Sequence, residues 1–126
     1  MKRFGLPREA RLTRSKDFQR LRRQGRPLVE PPLRVRALPR PGEKSRVGLA
    51  VGRKVGGAVV RNRWRRAIRE AFRLHRHRLD CGHDIVVSVD WEAPPERVDA
   101  VEEAFLRIIE RLNRSHEETD GTNTVD

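Results

Sequence analysis

The sequence lacks tyrosine, has a single cysteine among its 126 residues, and contains no apolar run of the about 18 residues that a membrane-spanning helix needs. The N-terminal stretch MKRFGLPREARL also lacks the apolar region of a secretory signal. We therefore expect a cytoplasmic protein with no membrane partner. Cys81 cannot form a disulfide within the chain, which agrees with a reducing compartment.

Acidic residues are scarce in the first part of the chain. Residues 1–78 contain 25 Lys and Arg against 5 Asp and Glu, whereas residues 79–126 contain 4 basic and 13 acidic residues. A basic excess concentrated in this way favours a phosphate-rich partner that neutralises it. Because 25 of the 29 basic residues are arginine, a compositional bias is an alternative, but such a bias does not explain the segregation of acid from base.

The pattern of apolar residues predicts one α+β domain, a small sheet packed with helices in the order helix, strands, helix, strand, helix. We place this domain at residues 1–114, with residues 1–10 extended and residues 115–126 as a disordered acidic tail. The two strands after the first helix are expected to form an antiparallel pair. The predicted elements are a helix from Ser15 to Gly25, strands at 33–37 and 47–51, a helix at 59–73, a strand at 84–91 and a helix from Pro94 to Leu112.

The helix at 59–73 is amphipathic, with an arginine-rich side opposite an apolar side. Guanidinium groups three or four residues apart can engage neighbouring phosphates, and Asn62 could contact a base edge or a 2′-hydroxyl. Gly56 and Gly57 would allow close backbone approach. The alternatives are a solvated surface balanced by Glu70 and a membrane-surface helix. The apolar side comprises Val60, Trp64, Ala67, Ile68, Ala71 and Phe72, and the polar side Arg61, Asn62, Arg65, Arg66, Arg69 and Arg73.

The segment RKVGGAVVRNRWRRAIREAF at 53–72 resembles the signature segment of the bacterial ribonuclease P protein subunit, in which Lys-x-Gly-x-Ala-Val-x-Arg-Asn-Arg opens the central helix. Arg11 with Leu12, Asp17 with Phe18, and the strand at 46–49 also fit the family's order, so the resemblance spans residues 8–113. The matching residues of the segment are Lys54, Gly56, Ala58, Val59, Arg61, Asn62, Arg63, Arg65, Arg66 and Arg69.

The resemblance implies a protein subunit that binds a catalytic RNA and helps it remove the 5′ leader of precursor tRNA. The catalytic RNA and precursor tRNA would be the partners, with no small-molecule substrate. The holoenzyme would be an endoribonuclease whose catalytic site lies in the RNA, which would also hold most of the Mg²⁺; no residue of this chain would be catalytic. The family fold further implies a left-handed crossover between two parallel strands, against the usual hand. The residues implied to bind the catalytic RNA are Arg61, Asn62, Arg63, Arg65, Arg66 and Arg69.

The resemblance also implies a cleft between the first helix and the sheet that binds the single-stranded leader. Phe18 would stack on a leader base, although packing in the core is the alternative for this residue. Arg22 and Arg36 stand where the family often has aromatic residues, and arginine can stack or pair with phosphate. Ala50 and Lys54 match further positions on the cleft side, and Lys54, a cation, completes the predicted leader-binding set.

Other readings follow from the same residues. The spacing of His75, His77, Cys81 and His83 fits none of the usual zinc patterns, so no metal ligands are expected. A nuclease with its own two-metal site would need clustered carboxylates, which the basic part of the chain lacks. The main alternative function is a non-enzymatic ribosomal or RNA-chaperone protein, followed by a DNA-binding module.

Overall fold

A four-stranded sheet forms the centre of the structure, a computed structural model that describes the backbone of residues 6–125 and the side chains of residues 6–115. Three helices pack on this sheet, so the predicted α+β class is confirmed. Short 3-10 segments lie at Arg8–Ala10, Arg53–Val55, Arg76–Arg78 and Pro95–Ala100. The main elements are α1 (Ser15–Gln24), β1 (Arg26–Glu30), β2 (Leu33–Pro39), β3 (Arg46–Ala50), α2 (Ala58–His75), β4 (His83–Val89) and α3 (Val101–Val125).

The strand order is β1-β2-β4-β3, and this order corrects the predicted pairing. β4 lies between β2 and β3, antiparallel to the first and parallel to the second, so β2 and β3 do not pair with each other. β4 is largely buried on both faces, with Ile85 and Val87 on one face and Val86 beside the buried Asp84 on the other, which suits the central position. Because α2 connects β3 to β4, these strands can run parallel, as a helical crossover allows. The left hand of this crossover stays a prediction.

The strand β1 is absent from the sequence-based prediction. It forms an antiparallel hairpin with β2, and the peptide bond between Pro31 and Pro32 in the connection is cis. Pro27 within the strand, Pro31 directly after it, and the charged residues at both ends hide the strand pattern in RPLVE. An edge strand tolerates proline because one of its sides makes no ladder hydrogen bonds.

The main core lies between one face of the sheet and the helices α2 and α3. In β2, Leu33, Val35 and Ala37 are buried on this face, while Arg34 and Arg36 are exposed on the other, as the alternation predicts. Burial of each large apolar side chain contributes about 1.5–3 kcal/mol. Side chains from the helices complete the core, namely Trp64, Ile68, Ala71, Phe72, Val101, Ala104, Phe105, Ile108, Ile109 and Leu112.

The opposite face of the sheet is partly covered by α1. Leu21 of this helix is buried, and Arg20 reaches the fully buried carboxylate of Asp84 on β4 at 2.7 Å. Arg46 binds both oxygens of the same carboxylate at 2.8 and 2.7 Å, and Arg40 lies 3.6 Å from it. The hydrogen bonds to Asp84 raise the pKa of Arg46. This cluster fastens α1 to the sheet.

The two ends of the chain differ from the prediction. Residues 8–10 form a 3-10 turn with Ala10 buried, so the segment is not extended throughout, and residues 1–5 lie outside the described residues. The backbone of α3 continues as a helix to Val125, whereas the sequence predicts disorder from residue 115. Extending an existing helix is easier than nucleating one, and this segment contains no proline.

Among the described residues, no helix combines the length and the apolar character needed to cross a membrane.

Candidate nucleic-acid interface

The arginine-rich side of α2 and the segment before α1 together form a shallow groove of about 330 Å³. Four of the predicted RNA-binding residues line it: Asn62, Arg65, Arg66 and Arg69. The helix presents them on one side because its other side, with Trp64 and Ile68, is buried in the core. The remaining lining residues are Leu6, Arg11, Glu70 and Arg73. We call this set the α2 groove.

The other two predicted RNA-binding residues lie outside the lining of the α2 groove. Arg61 is half-buried, and its Nε donates a hydrogen bond to the carbonyl of Gly56 at 3.1 Å. Arg63 is exposed on the same helix. Arg65 has two roles: it lines the groove, and its guanidinium donates a hydrogen bond to the carbonyl of Val51 at 3.3 Å. Arg61 and Arg65 therefore also brace α2 against the preceding loop.

Positive charge in the α2 groove is crowded. The pKa of the Arg69 guanidinium lies below its ordinary value, because burial disfavours the charge and because Arg11 and Arg65 repel it. Glu70 pairs with Arg73 at 2.6 Å, and this hydrogen bond lowers the pKa of Glu70. In the alternative of a solvated surface, Glu70 balances the arginine-rich side, but it pairs with Arg73 alone among the described arginines. The groove therefore keeps an excess of charge that a phosphate backbone can neutralise.

The helix α2 begins directly after Gly56 and Gly57. Gly56 has φ +153°, and a Cβ at this position would lie 2.9 Å from Cγ1 of Val60, so only glycine fits without a shift. Gly57 occupies the N-cap, where none of the described side chains forms a cap. The backbone N–H groups and the positive end of the helix dipole at this terminus suit an anion.

A second site, a cleft of about 320 Å³, lies between α1 and the face of the sheet opposite the main core. It brings together three of the predicted leader-binding residues, Phe18, Arg22 and Arg36, with Ala50. The lining is completed by Leu21, Pro27, Leu28, Val29, Arg34, Val35, Val86 and Ser88. We call this site the α1 cleft.

Phe18 takes part in both packing and lining. The side chain is half-buried, and its ring lies over Gly48 of β3, where an added Cβ would come within 2.7 Å of Phe18 Cζ. The glycine in the Arg-Val-Gly-Leu strand thus makes room for the ring. Phe18 therefore packs against β3 and also lines the α1 cleft. Its stacking on a leader base stays a prediction.

Lys54, the fourth predicted leader-binding residue, is not among the lining of the α1 cleft. It follows β3, and its ammonium lies 5.8 Å from the centroid of the Trp91 ring. Trp91, Arg11 and Arg73 are absent from the predicted sites. Arg11 reaches the α2 groove because its backbone forms a bridge with Val47, a long-range pairing that has no local sequence signal.

The residues considered for zinc have separate partners. His75 Nε2 lies 2.7 Å from a Glu102 carboxylate oxygen, and His83 Nδ1 lies 2.8 Å from the carbonyl of Cys81. Within the part of the chain whose side chains are described, no three His, Cys, Asp or Glu residues come close enough to hold a metal ion.

Comparison with known proteins decides the family. The family model described as Ribonuclease P matches residues 6–113, close to the 8–113 over which the sequence shows its resemblance. The chain belongs to the Ribonuclease P family. The matched range includes every residue that we assign to the α2 groove and the α1 cleft.

Individual members of the Ribonuclease P family are similar to this chain in sequence and in structure. The Ribonuclease P protein component of Desulfovibrio desulfuricans is 38% identical over 128 residues, which cover 100% of this chain and 98% of that protein. The component of Dictyoglomus thermophilum is 45% identical over 86 residues, 68% of this chain and 72% of that protein. Among solved structures, the RNase P protein of Thermotoga maritima is 30% identical with a TM-score of 0.71, covering 80% of this chain and 96% of that one. The Staphylococcus aureus RNase P protein has 28% identity and a TM-score of 0.66, covering 79% and 94%.

Proposed function

We propose that this chain is the protein subunit of a ribonuclease P holoenzyme and acts in the cytoplasm. It binds a catalytic RNA through the α2 groove and binds the single-stranded 5′ leader of precursor tRNA in the α1 cleft. The RNA performs the hydrolysis that releases the leader. Membership of the family supports the role, and the two separate basic sites support the division between the two RNA partners.

The observation that carries the proposal is the excess charge of the α2 groove. Asn62, Arg66 and Arg69 project from successive turns of one rigid helix, so their spacing is fixed before binding. Burial, and then repulsion from Arg11 and Arg65, lowers the pKa of Arg69, and a polyphosphate backbone would relieve that repulsion. Because the partner's charge is repeated along its length, several such contacts form together and release counterions.

The α1 cleft is lined by the kinds of side chain that bind single-stranded RNA. The ring of Phe18 offers a stacking surface, while Arg22 and Arg36 can pair with phosphates or stack on bases. A cleft that combines stacking with cations binds many sequences, since every base has a π face and every nucleotide a phosphate. Such a site suits leaders of varied sequence.

In this mechanism the chain binds and orients RNA and supplies no catalytic group. Magnesium, held mainly by the RNA and its substrate, would provide the metal-ion chemistry of hydrolysis. The arginines of the α2 groove reduce the repulsion between RNA backbones, a task that diffusible cations otherwise perform. The holoenzyme should therefore need less Mg²⁺ than the RNA alone.

A reconstitution experiment tests the proposal. Free protein should not cleave precursor tRNA. The protein with a bacterial ribonuclease P RNA should cleave at the 5′ end of the mature tRNA, at a lower Mg²⁺ concentration than the RNA alone requires. Cleavage by the protein alone would contradict the proposal. Binding to RNA with no change in its Mg²⁺ requirement would instead favour a ribosomal or RNA-chaperone protein.

A further inference from the structure

Trp91 is an exposed aromatic residue with no place in the core. It is 57% exposed, whereas the other tryptophan, Trp64, is 1% exposed. Its one described ring contact is with the Lys54 ammonium, 5.8 Å from the ring centroid. A tryptophan left mostly in water offers a large flat surface to a partner.

The topology places Trp91 next to the α1 cleft. β3 and β4 run parallel, and Ala50 pairs with Ser88 at the carboxyl end of both strands, where both residues line the cleft. Lys54 and Trp91 follow these two residues on their respective segments. Three extended residues span at most ~10 Å, so Trp91 lies within reach of a short single strand that leaves the cleft at this end.

Hydrogen bonds fix the loop that carries Trp91. The backbone N–H of Asp90 donates to the carbonyl of Pro32 at 3.0 Å, which joins the loop to the β1–β2 connection. Asp90 also accepts from the backbone N–H groups of Glu92, through its side chain at 3.2 Å, and of Ala93, through its carbonyl at 2.9 Å. The loop is thus braced on both sides of the tryptophan.

We propose that Trp91 and Lys54 form a further nucleotide-binding site, in which the indole stacks on a base of single-stranded RNA and the ammonium pairs with a neighbouring phosphate. This inference rests on the proposed function, since the RNA would be the leader continuing past the α1 cleft. Phe18 is the sole aromatic residue in the described lining of that cleft. Trp91 supplies a second stacking surface, and Lys54 holds a cation beside it.

Tryptophan fluorescence tests the site directly in the full chain. Trp64 is buried, so the fluorescence of a water-exposed indole comes from Trp91. A change in this emission on adding an eight-nucleotide single-stranded RNA would therefore report on Trp91. The expected result is quenching, and its disappearance in Trp91→Phe. Lys54→Gln should reduce the salt dependence of binding by roughly 0.7 in slope, the loss of one phosphate contact on a single strand. Binding of the oligonucleotide without quenching would overturn the inference.

Holoenzyme affinity separates this inference from the proposed function. Trp91→Ala should weaken binding of a long-leader precursor by roughly 5- to 150-fold, the loss of one base stack, while Trp91→Phe retains most of the affinity. Precursor with a leader of one or two nucleotides should be unaffected. Leu74→Ala is the matched control, since Leu74 is also an exposed apolar side chain, 41% exposed, on α2.

Two outcomes distinguish failure of the Trp91 site from failure of the proposed function. If the holoenzyme is active but Trp91→Ala binds precursors of every leader length like wild type, the Trp91 site is overturned and the proposed function stands. If the protein activates no catalytic RNA, yet single-stranded RNA quenches Trp91, the site stands and the proposed function fails.

Discussion

Arginines surround Asp84 in one region of this molecule and line the α2 groove in another, and the two regions differ in how their charge is balanced. Around Asp84, one fully buried carboxylate is bound by Arg20 and Arg46 at 2.7 Å. Hydrogen bonding there raises the pKa of Arg46. In the α2 groove, burial and neighbouring arginines lower the pKa of Arg69.

The contrast shows that the number of arginines in a segment does not by itself identify an RNA-binding surface. Arg46 and Arg69 both lie in the basic part of the chain, but Arg46 is paired with a buried carboxylate, whereas none of the ion pairs among the described residues includes Arg69. A carboxylate distant in sequence makes the difference, since Asp84 lies in the acidic part of the chain. The first region should govern folding, and the second RNA binding.

The largest expected effect comes from removing the charge of Asp84. Asp84→Asn keeps the shape of the side chain but leaves Arg20, Arg40 and Arg46 without their shared anion. Breaking a buried ion pair destabilises a protein by about 3–5 kcal/mol. Because the arginines remain partly exposed, we expect the lower end of this range, measured as a reduced midpoint of urea unfolding.

Glu70→Gln is the matched control for Asp84→Asn. It removes an acidic charge that also pairs with an arginine, Arg73, but on the exposed surface of α2. Exposed ion pairs contribute little to stability, so the unfolding midpoint should stay close to that of wild type. Equal midpoints for the Asp84 and Glu70 variants would contradict the distinction between the two regions.

The second prediction concerns the double variant Arg66→Ala, Arg69→Ala in the α2 groove. If each residue makes a charge-assisted contact at about 1.5 kcal/mol, affinity for the catalytic RNA should fall by about 3 kcal/mol. The slope of log affinity against log salt should decrease by roughly 1.4–1.8 for two phosphates. Relief of charge crowding should leave the unfolding midpoint unchanged or higher. Binding isotherms at several salt concentrations check the affinity and slope together.

The control removes the same charge elsewhere. Arg78→Ala with Arg97→Ala changes two exposed arginines outside the lining of the groove. This pair should alter RNA affinity and its salt dependence far less. Similar losses in both double variants would mean that net charge, and not the α2 groove, determines binding.

Local periodicity predicted the helices and three of the four strands. Apolar residues of α2 and α3 recur at helical spacing because one side of each helix packs on the sheet. The pairing of β3 with β4 was not predictable in this way, because it depends on the path of α2 across the sheet. The sequence pattern missed β1 because proline and charge interrupt the alternation of its apolar residues. It also missed the helical backbone beyond residue 115, because this segment has little apolar periodicity.

The residues of the candidate site likewise divide into those that local sequence patterns predict and those that contacts between distant segments bring in. Asn62, Arg66 and Arg69 were predictable because they share one helix and the family's signature segment. Arg11 enters the α2 groove through a bridge to β3, and Trp91 approaches Lys54 through the parallel pairing of β3 with β4. Such contacts between distant segments have no signature within a short window of sequence.

The third prediction concerns the α1 cleft, where Phe18→Ala should remove a base stack of about 1–3 kcal/mol. Holoenzyme with this variant should bind precursor tRNA with a leader of several nucleotides more weakly, while its affinity for mature tRNA stays nearly unchanged. A thermal melt confirms folding. Equal weakening for both RNAs would show that Phe18 supports packing or assembly and not leader binding.

Gly48→Ala offers a version of this test that leaves the phenylalanine in place. A Cβ at residue 48 would lie 2.7 Å from Phe18 Cζ, so the ring must move. If the position of the ring matters for stacking, this variant should weaken precursor binding in the same selective way, by less than Phe18→Ala. Normal precursor affinity in a folded Gly48→Ala protein would show that stacking does not need the ring over β3.

The smallest effect is expected from deleting residues 116–126. This segment contains four acidic residues and no lysine or arginine, so its removal changes the formal net charge from +11 to +15. Its charge is wrong for an RNA contact, and the deletion leaves Ser115, whose hydroxyl accepts a hydrogen bond from Arg26. Affinity for the catalytic RNA at moderate salt should therefore be unchanged or slightly higher. A strong loss of holoenzyme assembly would show that the acidic segment takes part in binding, and positive charge alone would then be an insufficient account of the interface.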